Sequence, residues 1–379
     1  MKILVVGAGP AGLVFASLVK RENPQHDITV VEKGGSTDGI TGWGVVVPGR
    51  PPRHPANILS YVPGFAALQP QFLSRFDSVH QEQHVLSDAG VELCAVERPG
   101  LVHAMRQHCA ELGVELRFGT SAHPEEYMGK ADLVVMATGV PSLNSAPWHA
   151  RFIPHCEFGT NKYFWFGTRQ VFDNVTFIFR EYQGCVFIAH AYKYREDASS
   201  IIIECSEKAY LRTNLHERSA ADARHFLAEV FQAELGGHEL LEKEGAVWRN
   251  FATIGHAKAV SDNIALLGDA LQTGHFSIGH GTTMAVVASR VLARALKQQS
   301  SVPAALACYE QEIIPLMRLF ATHADASRQW FETVEGRMQL APSALVESFH
   351  GRRAHLPPLP PALGAALGGG PGPEPGVRS

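Results

Sequence analysis

Val5-Val6-Gly7-Ala8-Gly9-Pro10-Ala11-Gly12 lies at the chain's first strand-to-helix junction, and Glu32 answers it twenty residues later at the end of a second apolar run. Ile3 to Val6 reads as a short strand and Ala11 to Lys20 as a helix, so Gly7-x-Gly9-x-x-Gly12 forms the turn between them. In such a turn the first glycine allows the tight bend, the second lets the backbone approach a pyrophosphate, and the third lets helix and strand pack closely. Ile28-Thr29-Val30-Val31 reads as the next strand. Glu32, with Lys33 beside it, stands where a carboxylate accepts hydrogen bonds from a ribose. An acidic residue there favours an adenosine without a 2′-phosphate, so these residues select FAD or NAD over NADP.

Around this fingerprint, 379 residues suffice for one large two-lobed unit or two interlocked domains. Apolar content of 45% and charged content of 18% are those of a soluble globular chain. The formal net charge of −4 carries no basic excess, so no nucleic-acid partner is expected. The six cysteines show no C-x-x-C pair, which fits reduced thiols in a cytoplasm. The N-terminal apolar stretch imitates a secretory signal, but its glycines and its strand argue against one. No apolar run reaches the length of a membrane span, so a cytoplasmic protein without a membrane partner is expected.

Strand candidates at 3–6, 28–31, 91–96, 114–118 and 132–137 alternate with helical patterns such as Leu101 to Leu112, as a mostly parallel, helix-covered sheet requires. From Lys162 the texture changes to aromatic and β-branched runs: Tyr163-Phe164-Trp165-Phe166, Val175 to Phe179, Cys185 to Ala189 and Ile201 to Ile203. These read as an inserted antiparallel sheet. Ile264 to Leu267 returns as a buried strand, followed by Gly268-Asp269-Ala270, a Gly-rich loop and a helix from Thr282 to Leu296. Pro303 to Glu335 reads as helical with a break or kink at Pro315. The expected fold is thus α/β, a Rossmann-like nucleotide-binding domain with an inserted antiparallel β-sheet substrate domain and C-terminal helices. The expected division is 1–64, 91–160 and 259–300 for the nucleotide-binding domain, 65–90 and 161–258 for the substrate domain, 301–355 for the helices, and a disordered Pro/Gly tail over 356–379.

Gly268-Asp269-Ala270 with Gly279-His280-Gly281 is the second chemical signal. An Asp at the mouth of a buried strand can accept ribityl or ribose hydroxyls, and the glycine loop leaves amide N–H groups at a helix start free for an anion or a flavin carbonyl. An ordinary strand-turn-helix with a capping Asp is the plainer alternative. Together with the first fingerprint and the β-rich insert, the pattern resembles the single-component FAD-dependent aromatic hydroxylases of the p-hydroxybenzoate hydroxylase type. Arg98-Pro99-Gly100-Leu101 joins that likeness, which runs to about residue 355. The resemblance implies that Gly7 to Gly12 hold the FAD pyrophosphate, Glu32 the adenosine ribose, Arg98 the pyrophosphate from the far side and Asp269 the ribityl chain. It implies that Gly268, Gly279 and Gly281 line the cofactor. It also implies NADPH or NADH docking transiently, O2 captured as a C4a-hydroperoxide, and an indole ring of a dimeric acid hydroxylated at C5. Thr138-Gly139 stands where many relatives carry Asp-Gly, and Gln272 and Phe276 where they carry His and Pro.

Other residues are weighed against plainer roles. His275, His190 and His280 flank the elements that should meet at the flavin, so His275 and His190 are the catalytic candidates, against satisfied structural histidines. Arg50, Lys162, Lys193 and Arg249 are candidates for a substrate carboxylate, against solvated surface cations. Val45 and Val46 follow Gly44 in a loop that crosses the flavin in similar enzymes, and Val46 and Tyr163 are taken with Arg50 as substrate-binding. Of the Tyr163 to Phe166 run, at most two alternate residues can face a pocket. His80 and His84, four apart, could share a helix face, but no third ligand is at hand and no metal is expected. His275-Phe276-Ser277-Ile278-Gly279 imitates a nucleophile elbow, yet begins with His where the turn wants Gly. The residue readings left open beside a hydroxylase are a flavin-binding protein without turnover and an NAD-dependent dehydrogenase. The oligomeric state is not legible.

Overall fold

The computed structural model describes residues 1–35, 42–48, 72–81, 84–127, 129–140, 147–279 and 281–359. Numbered in chain order, β1 (Lys2–Val6), β2 (Asp27–Glu32), β6 (Glu115–Phe118), β7 (Leu133–Met136), β14 (Val260–Ser261) and β15 (Ile264–Leu266) form one sheet in the order β14-β15-β7-β1-β2-β6. All its pairs are parallel except β14 with β15. Its central strands are unbroken apolar runs because both faces are covered. Ile3, Val5, Leu133, Val135 and Leu266 are buried there among residues of α1 (Pro10–Glu22), α2 (Arg98–Glu111), α6 (Gly281–Gln298) and α7 (Val302–Glu332).

The second sheet takes β3 (Gly44–Pro48), β4 (Phe72–Gln81), β5 (His84–Glu97), β8 (Pro154–Thr168), β9 (Val175–Tyr182), β10 (Cys185–Arg195), β11 (Ala198–Cys205), β12 (Leu240–Leu241) and β13 (Arg249–His256). It is antiparallel apart from the β4–β9 pair. Strand alternation splits it into two faces. Phe164, Phe166, Phe187, Ile201 and Ile203 form a core with α3 (Glu207–Arg212), α4 (Ala220–Val230) and α5 (Gln232–Leu235). On the opposite face, Phe177, Phe179, Ile188 and Tyr192 pack with Trp330 and Phe331 of α7 and with α8 (Pro342–Gly351). Tyr163, Trp165, His190 and Glu204 belong to this second face.

Three expectations change. The strand at 91–96 is the end of β5 and pairs antiparallel with β3 and β4 in the second sheet, so it is no part of the parallel sheet. An apolar run covered on both sides looks the same in either sheet. Helix α7 runs unbroken through Pro315 for 31 residues, because burial of Ile313, Ile314, Met317 and Phe320 outweighs the hydrogen bond that proline removes. The start of the expected tail is docked: His323 Nε2 donates to the Pro357 carbonyl at 2.9 Å, and Leu359 packs against the first core. The rest of that tail, from 360, lies outside the described residues. No described helix is long and apolar enough to cross a membrane.

Candidate cofactor and substrate site

The two glycine-rich elements meet at the N-terminus of α1. Gly7 has φ of +112°, and a Cβ there would stand 2.2 Å from the Ala137 carbonyl oxygen, while a Cβ on Gly12 would stand 2.2 Å from the Gly7 carbonyl oxygen. Packing therefore requires both glycines. A Cβ on Gly9 would meet nothing within 4 Å, and the same holds for Gly279 and Gly281, so these three border open space at two helix starts. Glu32 is clamped to the turn: its Oε2 accepts from the Ala8 N–H at 2.8 Å and its Oε1 from the Gly34 N–H at 3.1 Å. Each oxygen keeps a second lone pair for a ribose hydroxyl. Lys33 follows on the exposed side.

Asp269 sits in a 3-10 turn after β15. A Cβ on Gly268 would lie 2.8 Å from that of Ala11, and Ser289 of α6 donates to the Ala11 carbonyl at 2.8 Å, which fixes this turn against α1. The Asp269 side chain is exposed, yet it lies deep enough for desolvation to raise its carboxyl pKa, opposed by the charge of Arg98. Exposure and desolvation together describe a group at the floor of an open cleft. The Arg98 Nε and the Thr283 Oγ1 in the first turn of α6 are buried without a hydrogen-bond partner. A glycine-lined opening over two helix N-termini, a clamped carboxylate and orphaned donors fit FAD.

Behind the cleft, the second sheet presents a polar cluster that brings the candidates His190 and His275 together on Glu204, a residue the sequence did not single out. Glu204 on β11 is 1% exposed; its Oε1 accepts from Asn161 Nδ2 at 2.8 Å and its Oε2 faces His190 Nε2 at 3.1 Å. His275 Nε2 lies 3.9 Å from the same oxygen. Desolvation would raise the Glu204 pKa, but the hydrogen bonds from His190 and Asn161 and the neighbouring imidazoles outweigh it and hold the carboxyl below its ordinary value. Burial pushes His275 down to about 4 although Glu204 opposes that, so His275 is neutral near pH 7.

Its tautomer follows from the charge it faces. Arg352 Nε donates to Ser327 Oγ at 2.9 Å, Ser327 and Ser277 hydroxyls lie 2.8 Å apart, and Ser277 Oγ is 2.8 Å from His275 Nδ1. The charge of Glu204 draws the His275 proton to Nε2, so Nδ1 accepts from Ser277, Ser277 accepts from Ser327, and Ser327 accepts from Arg352. Ser277 is thus a buried link in a chain rather than a nucleophile. His190 Nε2 likewise carries its proton to Glu204, leaving a buried Nδ1 without a partner. The missed signal was a lone charge in the run Ile201-Ile202-Ile203-Glu204-Cys205.

Phe276 joins cluster and cleft. Its ring centroid lies 4.1 Å from that of His275, and 5.1 Å from those of His190 and Tyr163. Phe251 stands 6.1 Å from Phe276 and 6.2 Å from Tyr163. Tyr163, Phe251 and Phe276 are half-buried, whereas Phe164 and Phe166 turn to the opposite core. Val45 and Val46 are on strand β3, paired with β5, rather than in a loop; Val45 is buried and Val46 half-buried. The Gly44 carbonyl accepts from Tyr192 Oη at 2.9 Å, which secures that strand across the sheet. His80 and His84 also lie on strands, and His80 Nδ1 is 3.7 Å from a Glu234 oxygen. No group of three metal-ligating side chains occurs among the described residues. Arg50 and His280 lie outside the described residues.

Comparison with known proteins extends this picture. Residues 5–60 match the family model described as an NAD(P)-binding Rossmann-like domain. The chain is 50% identical over 369 residues to protodeoxyviolaceinate monooxygenase of Chromobacterium violaceum, covering 97% of this chain and 98% of that one. It is 31% identical over 336 residues to 3-hydroxy-4-methyl-anthranilyl-[aryl-carrier protein] 5-monooxygenase of Streptosporangium sibiricum, covering 87% and 89%. Among solved structures, the tetrameric form of 2-methyl-3-hydroxypyridine-5-carboxylic acid oxygenase matches with a TM-score of 0.70 at 20% identity, over 91% of this chain and 95% of that one.

Proposed function

This chain belongs to the FAD-dependent aromatic monooxygenases, the family of protodeoxyviolaceinate monooxygenase, and from that premise we propose that it hydroxylates an indole ring of protodeoxyviolaceinate at C5 to give protoviolaceinate in violacein biosynthesis. NADPH or NADH and O2 are its co-substrates. The observation that carries the reading is 50% identity sustained over 97% of the chain. The glycine-lined cleft and the aromatic wall beside it support it.

Gly7, Ala8, Gly9, Pro10, Ala11 and Gly12 would hold the FAD pyrophosphate, Glu32 and Lys33 the adenosine end, Arg98 the phosphates from the far side, and Gly268, Asp269, Gly279 and Gly281 the ribityl chain and ring. When bound, FAD would relay two electrons from the nicotinamide to O2, so that one oxygen atom goes to the substrate and the other leaves as water. The protein's own work is orientation and exclusion of water. Tyr163, Phe251 and Phe276 offer flat apolar faces against which an indole can be held, with Val46 as wall. Oxygen enters at C5 as the C5–H proton leaves. His190, bonded to Glu204 through Nε2 and set edge-on against Phe276, is our candidate for holding that ring at the cleft wall. His275, neutral and tied to Ser277, holds Phe276 in place.

The test is NADPH oxidation by the purified holoprotein under air, with and without protodeoxyviolaceinate, followed by mass analysis. Substrate-stimulated oxidation with a gain of one oxygen is expected. Flavin reduction without oxygen transfer to this acid would move the assignment to another indole, such as tryptophan, or to a non-catalytic role.

A further inference from the structure

An acidic aromatic substrate needs a cation beside an aromatic wall, and the cations of this region are largely committed. Lys162 Nζ is bonded to Asn250 Oδ1 at 2.5 Å and lies 3.7 Å from Glu207. Lys243 donates to the Gly42 carbonyl and lies over the Trp43 ring. Arg328 is held by Asp325 and Glu332, and Arg352 by Ser327 and the Phe349 carbonyl. Arg249 differs: it is exposed, and its guanidinium has neither a hydrogen bond nor an acidic partner among the described residues.

Its place is fixed by strand register. Arg249 opens β13 and pairs across from Tyr163 on β8, so the two side chains leave the sheet on the same side. The register shifts between Asn250 and Ala252, which puts Phe251 at an irregularity, and its ring stands 6.2 Å from that of Tyr163. Burial pushes the Tyr163 hydroxyl pKa up, and the Arg249 charge is near enough to oppose that rise. The Tyr163 hydroxyl has no hydrogen-bond partner among the described residues either. An unpaired guanidinium and an unpaired phenol thus stand together at the edge of the wall made by Tyr163, Phe251 and Phe276.

We propose that Arg249 is the carboxylate-recognising residue of this site, taking the carboxylate of an aromatic acid by its forked N–H donors while the acid's ring lies against Tyr163, Phe251 and Phe276. A guanidinium matches a carboxylate with two parallel hydrogen bonds, which fixes the acid's direction as well as its charge. The ring to be hydroxylated is thereby aimed inward and the carboxylate outward. This inference rests on the proposed function for the identity of the acid.

The experiment is titration of FAD-loaded protein with protodeoxyviolaceinate and with its decarboxylated, uncharged counterpart, read as perturbation of flavin absorbance and fluorescence. Arg249→Met should weaken binding of the acid by about tenfold or more, the scale of a charge-assisted hydrogen bond, and leave the uncharged ligand unchanged. Arg249→Lys, which keeps the charge and loses the fork, should fall between. Added salt should weaken the acid in the wild type and have little effect in Arg249→Met. Equal loss for both ligands, or no loss for the acid, overturns the assignment while the proposed function stands. Failure of the acid to bind the wild type overturns the proposed function and this inference with it. Flavin content and melting temperature of both variants establish that an exposed substitution has left the fold intact.

Discussion

At the scale of single residues, Glu204 is the least expected group in the molecule, an ionised carboxylate inside an apolar strand. Removing a carboxylate from water costs several kcal/mol, so the bonds from Asn161 and His190 hold it in place rather than adding a surplus. Glu204→Leu should destabilise by about 3 to 5 kcal/mol because it strands Asn161 and His190, and Glu204→Gln by less, since its amide oxygen still accepts from Asn161 and only the His190 Nε2–H meets a donor. Chemical denaturation measures the difference, and equal losses would mean that the charge and its partners do not matter. The histidines set a second expectation. Burial holds His275 and His256 at about 4 in the folded chain, whereas an unfolded histidine titrates near 6.5. Between those values only the unfolded chain takes up the protons, so stability falls as pH drops from about 6.5 to about 4, by up to about 3 kcal/mol per group. Glu204, whose pKa is depressed, adds its loss below its unfolded value, through the lower folded one. Melting temperatures from pH 7 to 4 should fall accordingly, and His256→Gln should flatten the slope. The sequence pointed to His190 and His275 as converging but not to Glu204 between them, because Asn161, His190 and His275 come from three separate elements.

At the scale of elements, the β1–α1 turn was legible because each glycine in it answers a different local demand. Those demands separate by substitution. Gly7→Ala and Gly12→Ala drive a methyl into backbone at 2.2 Å, and the first also forces a left-handed φ on a residue with a side chain. Both should lower the melting temperature sharply even without FAD. Gly9→Ala meets no protein atom within 4 Å, so the apoprotein should melt as the wild type does while FAD affinity falls by tenfold or more. If Gly9→Ala retained full flavin, the open space beside Gly9 would not be where the pyrophosphate lies. The 91–96 strand shows the converse. Its apolar run is genuine, but sheet membership is decided by pairing with β3 and β4, contacts that no local pattern records. The same holds for α7, where Pro315 predicts a break and distant packing overrides it.

At the scale of the whole molecule, the cleft exists because two sheets are tied together by segments remote in sequence. Tyr309 of α7 donates to the Leu266 carbonyl at 2.7 Å, at the end of the strand that leads to Asp269. The same helix carries Ser327 and Phe331 to the polar cluster on the second sheet. Helix α7 therefore acts as a brace between the cofactor side and the substrate side. Among the described residues, the start of the tail bears on this brace through His323 and the Pro357 carbonyl, with Leu359 against the first core. Composition marks everything from Leu356 onward as one Pro/Gly-rich stretch, and nothing in it sets Pro357 and Leu359 apart as docked. Their contacts give two truncations different outcomes. Ending the chain after Leu359 should leave melting temperature, flavin content and turnover at wild-type values. Ending it after His355 removes the acceptor of the buried His323 and an apolar side chain from the core, which should cost about 1 to 3 kcal/mol. Because the loss falls on α7, coupling of NADPH oxidation to product should fall with it. Equal behaviour of the two truncations would show that the brace does not depend on the chain end.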